Sequence, residues 1–243
     1  MIRAVVFDFG QTLVNSADGF RAAEKELQSK AVVFLDPSLC GGFLDLYRKI
    51  RTRLHNQSIF SRRELLEEVF RHYGLSVDPA FLEQWESEYW EQIRAMTRPF
   101  PETETVLETL LARGYRLALI TNTQGQRQGE KHRLGNYPEL ERFFEVIVIA
   151  GEAGIPAKPD PAPFCLCLEK LAIAPGESIY VGDDLRIDIR GSEAVGMHPV
   201  WLRHRSLTRN WPAAETAAPV IDSLERLLDI ESLIRDRSER GKG

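Results

Sequence analysis

The sequence predicts an α/β fold: a doubly wound parallel sheet with an all-helical domain inserted into it. Short apolar runs of about five residues alternate with amphipathic helical patterns through most of the chain. Strands that alternate with helices are typical of a parallel sheet covered by helices on both faces. Residues 15–98 break this alternation, since they contain several helical patterns and no convincing buried strand.

The predicted strands are short, continuous apolar runs, as expected for strands that are buried on both faces of a sheet. They cover residues 2–7, 116–120, 146–150, 178–181, 198–202 and, more weakly, 220–222. The helical patterns between them cover residues 103–113, 162–171, 187–195 and 224–229. These elements predict a core domain made of residues 1–14 and 99–235, followed by a frayed, charged tail at 236–243.

The inserted segment, residues 15–98, is predicted to be a separate helical domain. Apolar and aromatic residues recur at helical spacing in four stretches, 19–33, 41–55, 62–73 and 80–96. Aromatic residues at this spacing are expected to pack helices against each other.

The composition of the chain argues against nucleic-acid and membrane partners. The 243 residues are 43% apolar and 28% charged, with a net charge of −5, which argues against a nucleic-acid partner. No apolar run approaches the ~20 residues of a membrane span, so no membrane partner is expected. Three cysteines without paired spacing, and the lack of a secretory pattern, favour a cytoplasmic protein. The oligomeric state, monomer or homodimer, stays open.

Polar residues cluster where the predicted strands end, and this edge of a parallel sheet is where ligands bind. Three or more carboxylates at one edge repel each other, and a hard cation such as Mg²⁺ offsets that repulsion. A lysine and a Thr-Asn pair add groups that suit a phosphate dianion. The residues concerned are Asp8, Thr121, Asn122, Lys158, Asp183, Asp184 and Asp188.

Four segments resemble, in order, the motifs of the haloacid dehalogenase-like (HAD) hydrolase superfamily. They are VFDFGQTL at 6–13, LITN at 119–122, KPDP at 158–161 and YVGDDLRIDIRG at 180–191. The insertion resembles the helical C1-type cap of that superfamily. The resemblance implies a Rossmann-like core and a hydrolase, most simply a Mg²⁺-dependent phosphatase acting on a small phosphorylated metabolite.

The resemblance also implies the nucleophile and the metal ligands. Asp8 is expected to attack the phosphoryl group and form an aspartyl-phosphate. Mg²⁺ is expected to be held by Asp8, by the backbone carbonyl of Gly10 and by Asp183. Asp184 is expected to be a further metal ligand or a residue that contacts the ligands.

The phosphate contacts are implied in the same way. Thr12, Thr121 and Asn122 are expected to bind the phosphoryl oxygens, and Thr121 and Lys158 to act in catalysis beside Asp8. By the same resemblance, Lys158 is expected to neutralise charge on both nucleophile and phosphate. Asp188 is expected to orient Lys158 or a metal-bound water.

The first motif departs from the usual Asp-x-Asp-Gly-Thr pattern, because Gly10 stands where most family phosphatases carry their second Asp. That Asp protonates the leaving group and activates water, and losing such a group costs ~10²–10⁴ in rate. Two alternatives to an efficient phosphatase therefore stay open. One is a non-catalytic or weakly active ligand-binding protein, and the other is a haloacid dehalogenase or another carbon-centre hydrolase. The sequence does not identify the substrate.

Overall fold

The computed structural model of the chain describes residues 1–122, 137–207, 216–230 and 232–234. Its described residues fall into two units. The first contains residues 1–15, 98–122 and those from 137 onward, and the second contains residues 16–97. The tail predicted at 236–243 lies outside the described residues.

The first unit is built on a six-stranded sheet in which every neighbouring pair of strands is parallel. This confirms the predicted α/β fold. The strands are β1 (Ala4–Phe7), β4 (Arg116–Asn122), β5 (Val146–Ala150), β6 (Ser178–Gly182), β7 (His198–Leu202) and β8 (Val220–Ile221). Their order in the sheet is β5-β4-β1-β6-β7-β8.

Strands β4, β1 and β6 are adjacent and parallel, so the residues that follow them lie at the same edge of the sheet. All residues of β1 and β6 are buried, as expected for strands covered on both faces. Phe7, the last residue of β1, pairs with Leu119 of β4 and Val181 of β6. Because the strands are parallel and in this register, the segments that follow β1 and β6 leave the sheet side by side.

Helices cover the sheet of the first unit. One of them, α8, packs Phe164 and Leu171 into a cluster with Val6 of β1 and Ile120 of β4. The helices are α6 (Thr103–Ala112), α7 (Pro138–Glu141), α8 (Pro161–Leu171) and α9 (Arg190–Ala194), with 3-10 turns at Pro175–Glu177 and Leu224–Asp229.

The helix predicted at 187–195 begins earlier and is not uniform. The chain first forms a π-helical turn at Leu185–Ile189 and then α9. The carboxylate of Asp184 accepts hydrogen bonds from the backbone amides of Arg186 and Ile187, so it caps the turn and fixes its start. Such π turns occur often at functional sites.

The second unit is helical in its described residues. Its helices are α1 (Ala17–Ala31), α2 (Pro37–Cys40), α3 (Phe43–Asn56), α4 (Arg62–His72) and α5 (Pro79–Met96). Side-chain caps explain two of the starts, since Ser61 accepts from the amide of Glu64 and Asp78 from that of Ala80. The aromatic residues do pack between helices, as predicted; Phe70 and Trp85, for example, are buried against each other.

A two-stranded ribbon was missed by the sequence analysis. Strand β2 (Val14–Asn15) pairs antiparallel with β3 (Arg98–Pro99). Two residues per strand leave no periodicity to detect in a sequence. The ribbon belongs to the first unit. It pairs the residues just before the inserted segment with the residues just after it.

Among the helices that the structure describes, none is both long enough and apolar enough to cross a membrane. The three cysteines, Cys40, Cys165 and Cys167, carry free thiols.

Candidate active site

Asp8 directly follows β1 and is nearly buried, with 8% of its surface exposed. Its backbone amide donates to the carbonyl of Val181 at 2.9 Å, which extends the strand pairing by one residue and fixes the position of the side chain. Oδ1 accepts a hydrogen bond from Nζ of Lys158 at 2.8 Å. The hydroxyl of Thr12 lies 3.4 Å from Oδ2. Both carboxylate oxygens are therefore oriented by neighbouring side chains.

The ammonium group of Lys158 is buried to 1% exposure at the centre of the site. Nζ lies 2.7 Å from Oδ1 of Asp188, 2.8 Å from the hydroxyl of Tyr180 and 3.0 Å from the carbonyl of Ile120, in addition to Asp8. An ammonium group has three protons to donate, and here it meets four acceptors. The site is therefore rich in acceptors, and each proton of Lys158 has a partner.

Asn122 fixes the loop that carries Lys158. Its side-chain amide donates to the carbonyl of Lys158 at 3.2 Å, and its side-chain oxygen accepts from the amide of Lys158 at 3.0 Å. This paired contact holds the loop against the last residue of β4. The side chain of Asn122 thus contacts Lys158, while its predicted part in phosphate binding stays a prediction.

The three aspartates after β6 have different surroundings. Asp183 is 6% exposed and follows the strand directly, and its backbone carbonyl accepts from the indole of Trp201. Asp188 is 2% exposed and reaches back to Lys158. Asp184 is directed to the backbone amides that it caps, so the structure does not place its carboxylate with the other two. Its role as a metal ligand stays a prediction.

Asp8, Asp183 and Asp188 form the group of buried carboxylates in the described part of the chain that is spaced to hold a metal ion. One oxygen from each lies within 4.8 Å of the others. The sequence analysis placed Asp8, Asp183 and Asp184 in such a group, with the carbonyl of Gly10, whereas Asp188 was expected to orient Lys158 or a metal-bound water. The structure brings Asp188 as close as the other two.

The pKa values at this site reflect burial and an excess of negative charge. Burial raises the pKa of Asp188 to about 6, and the charges of Asp8 and Asp184 add to this, while Lys158 opposes it. Burial lowers the pKa of Lys158, but the charges of Asp188 and Asp8 outweigh burial, so that pKa lies well above its ordinary value. One ammonium group does not balance three carboxylates, and a bound cation would relieve the imbalance.

Tyr180 is a member of the site that the sequence analysis missed. Its side chain is fully buried in β6, and its hydroxyl lies 2.8 Å from Nζ of Lys158 and 3.2 Å from Oδ1 of Asp188. Burial raises the pKa of Tyr180 well above its ordinary value, so the hydroxyl keeps its proton and can donate it. A tyrosine inside an apolar strand gives no sequence signal, because buried strands contain such residues for packing alone.

The remaining predicted residues line the same edge. Thr121 is 1% exposed and belongs to β4, which runs two residues beyond the predicted end. Gly10 forms a bridge with Val14, and its backbone lies outside the left-handed region. The residue that does occupy that region is Gln11, with φ of 63°. The φ angle at position 10 therefore does not by itself require glycine.

A family model of the haloacid dehalogenase-like hydrolases matches residues 2–196. The chain belongs to this family. The match contains every site residue described above, and it confirms the resemblance of the four motifs. The protein is accordingly a HAD-like hydrolase.

Curated relatives of this HAD-like hydrolase include phosphatases. A glyceraldehyde 3-phosphate phosphatase from Methanopyrus kandleri is 28% identical over 235 residues, which cover 95% of this chain and 97% of the relative. A phosphoserine phosphatase from Thermus thermophilus is 37% identical over 129 residues, 53% of this chain and 50% of that enzyme. These relatives support a phosphohydrolase.

Solved structures share the fold. The magnesium-bound orthorhombic form of YfnB from Bacillus subtilis superimposes with a TM-score of 0.66 at 21% identity, covering 94% of this chain and 98% of YfnB.

Replacement of Gly182 by Ala is expected to disrupt the carboxylate group. A Cβ atom at position 182 would lie 2.4 Å from Cβ of Asp188, so Asp188 would have to leave its place beside Lys158. We expect the free energy of unfolding to fall by about 1–3 kcal/mol, measured by urea denaturation. Gly176→Ala is the matched control, because a Cβ atom there meets nothing within 4 Å. Equal effects of the two substitutions would contradict this account of the packing.

Proposed function

We propose that this HAD-like hydrolase is a Mg²⁺-dependent phosphatase that cleaves a small phosphorylated metabolite through an aspartyl-phosphate on Asp8. The observation that carries the proposal is the pairing of a buried carboxylate, Asp8, with a buried ammonium, Lys158, at 2.8 Å. This pair sets a carboxylate nucleophile directly beside a positive charge. The names of the curated relatives add support for phosphate esters as the substrate class.

The residues present fit a magnesium ion. Asp8, Asp183 and Asp188 offer hard oxygen ligands within 4.8 Å of one another, and Mg²⁺ prefers such ligands. They also carry more negative charge than Lys158 neutralises. We assign Asp8 and Asp183 as ligands, with the carbonyl of Gly10. Asp188 lies beside them, and Asp184 stays a predicted further ligand. When bound, the ion would stabilise negative charge on the phosphoryl oxygens.

The chemical step begins at Asp8. One of its carboxylate oxygens attacks phosphorus, the bond from phosphorus to the ester oxygen breaks, and the departing oxygen keeps the electron pair. Lys158 sits beside Asp8 and offsets the charge of nucleophile and phosphoryl group. Water then attacks the phosphorus of the aspartyl-phosphate, which releases inorganic phosphate and restores the Asp8 carboxylate.

Proton transfer is where this chain differs from most of its family. The departing oxygen needs a proton unless it is a good leaving group, and Gly10 has no side chain to supply one. We infer that the enzyme favours substrates whose leaving group departs as an anion, or substrates that supply their own proton.

An assay with two substrates tests the proposed reaction. An aryl phosphate should be hydrolysed with Mg²⁺ and not in excess EDTA, and activity should return when Mg²⁺ is restored. A haloacid should release no halide under either condition. Halide release, or phosphatase activity that persists in EDTA, would favour a carbon-centre hydrolase. Binding of Mg²⁺ and phosphate without turnover would favour a ligand-binding protein.

Substitution of Asp8 by Asn should abolish turnover while leaving the fold intact, because the amide keeps the size of the side chain but is not a nucleophile. We expect the rate with an aryl phosphate to fall roughly 10⁴-fold or more. Asp18→Asn is the control, since Asp18 is exposed in the first turn of α1. If the Asp8 variant keeps more than a few per cent of the activity while its circular dichroism spectrum is unchanged, Asp8 is not the nucleophile.

Substitution of Gly10 by Asp should restore a general acid. We expect a rise of up to ~10²-fold in the rate with alkyl phosphates and a much smaller change with aryl phosphates. The φ angle at position 10 lies outside the left-handed region, so a side chain there adds no left-handed backbone strain, and the melting temperature should stay close to that of the wild type. A wild-type rate that is insensitive to the pKa of the leaving group would mean that another residue already supplies the proton.

A further inference from the structure

A serine, a histidine and a glutamate of the first unit form a hydrogen-bonded network that shares no residue with the candidate active site. The hydroxyl of Ser206 lies 2.8 Å from Nδ1 of His204. On the other side of the ring, Nε2 of His204 lies 2.7 Å from Oε1 of Glu102. Ser206 is exposed, whereas His204 is buried at 3% exposure. The network therefore connects a hydroxyl at the surface to a carboxylate through a buried imidazole.

The contacts of His204 determine which of its ring nitrogens carries the proton. The backbone amide of Ser206 donates to Nδ1 at 3.2 Å, and a ring nitrogen that accepts from an amide has no proton of its own. Burial raises the pKa of Glu102, but hydrogen bonds from its own amide and from His204 outweigh burial, so that pKa lies below its ordinary value. Glu102 is thus an ionised acceptor that requires the proton on Nε2. The ring is neutral, and Nδ1 accepts from the hydroxyl of Ser206.

The surrounding structure holds the imidazole and the hydroxyl in this arrangement. The amide of Leu207 donates to the carbonyl of His204 at 3.0 Å, which closes a turn around Ser206. The ring of His204 stacks on that of Phe100, with 3.8 Å between the ring centroids and 12° between the planes. The base and the hydroxyl are therefore positioned before any substrate binds.

We propose that Ser206 is an acylation site, whose hydroxyl takes an acyl group from an activated ester. His204 is its general base, and Glu102 is the positioning residue that orients the base. A serine hydroxyl is a weak nucleophile until an adjacent base takes its proton, and that base is in turn oriented by a third group. Both distances in the network lie within the range for such proton transfer. The site does not rest on the proposed phosphatase activity.

The reaction begins when Oγ of Ser206 attacks the carbonyl carbon of the ester and the hydroxyl proton passes to Nδ1 of His204. The carboxylate of Glu102 stabilises the imidazolium that forms. The tetrahedral intermediate then collapses, and the bond from the carbonyl carbon to the ester oxygen breaks. The departing oxygen keeps the electron pair and receives the proton from His204 directly or through water. The products are an acyl ester on Ser206 and the alcohol or phenol of the substrate.

An experiment with p-nitrophenyl acetate and the full-length protein tests the site. Peptide mass spectrometry locates the acetyl groups, and hydroxylamine removes those held as esters while acetylated lysines remain. Ser29 is the internal reference, because it is exposed and its hydroxyl donates to the backbone carbonyl of Lys25. We expect Ser206 to be acetylated at least about 10²-fold faster than Ser29, as for general base catalysis.

Two substitutions separate the base from the residue that orients it. His204→Gln removes the base and should slow acetylation of Ser206 by about 10²–10⁴-fold. Glu102→Gln keeps the base, but its amide can donate to Nε2 and so shift the ring proton to Nδ1. Long-range proton–nitrogen NMR should show that shift, together with slower acetylation. His72→Gln is the control, since His72 is exposed in the last turn of α4, and it should react as the wild type does.

Three results would overturn the proposal. Equal acetylation rates of Ser206 and Ser29 in the folded wild type would contradict it whether or not the variants fold. Unchanged acetylation of Ser206 in a folded His204→Gln variant would mean that the histidine is not the base. A wild-type NMR spectrum with the ring proton on Nδ1 would mean that the imidazole cannot take the proton of the hydroxyl.

Discussion

The contact on which the candidate active site depends is the buried ion pair between Lys158 and its two carboxylates, Asp8 and Asp188. Burying a charge costs several kcal/mol, and the cost is offset only when hydrogen bonds satisfy the whole group. Tyr180 and the carbonyl of Ile120 complete the shell of Lys158. The ammonium therefore has one position, and because Asp8 is bonded to it, the nucleophile of the proposed reaction has one position too.

The surrounding fold serves to hold that contact in place. The parallel register of the central strands sets Asp8 and Asp183 side by side, since Phe7 pairs with Val181. Gly182 leaves room for Asp188 to lie across the strand end. Asn122 clamps the backbone of Lys158 from β4. Four segments that are distant in sequence thus meet at one edge of the sheet.

The protein does not balance the charge at the candidate active site by itself. Lys158 is surrounded by carboxylates, and the imbalance there is an excess of negative charge, which suits a metal ion.

The sequence alone was enough to predict the fold class and the edge of the sheet at which the candidate site lies. Continuous apolar runs followed by Asp8, by Thr121 and Asn122, and by Asp183 were enough to predict a parallel sheet with a polar edge, because strand burial and strand ends are local properties. Contacts made across the sheet were not predictable. Only the tertiary structure placed the Tyr180 hydroxyl on Lys158, brought Asp188 into the carboxylate group and directed Asp184 to backbone amides.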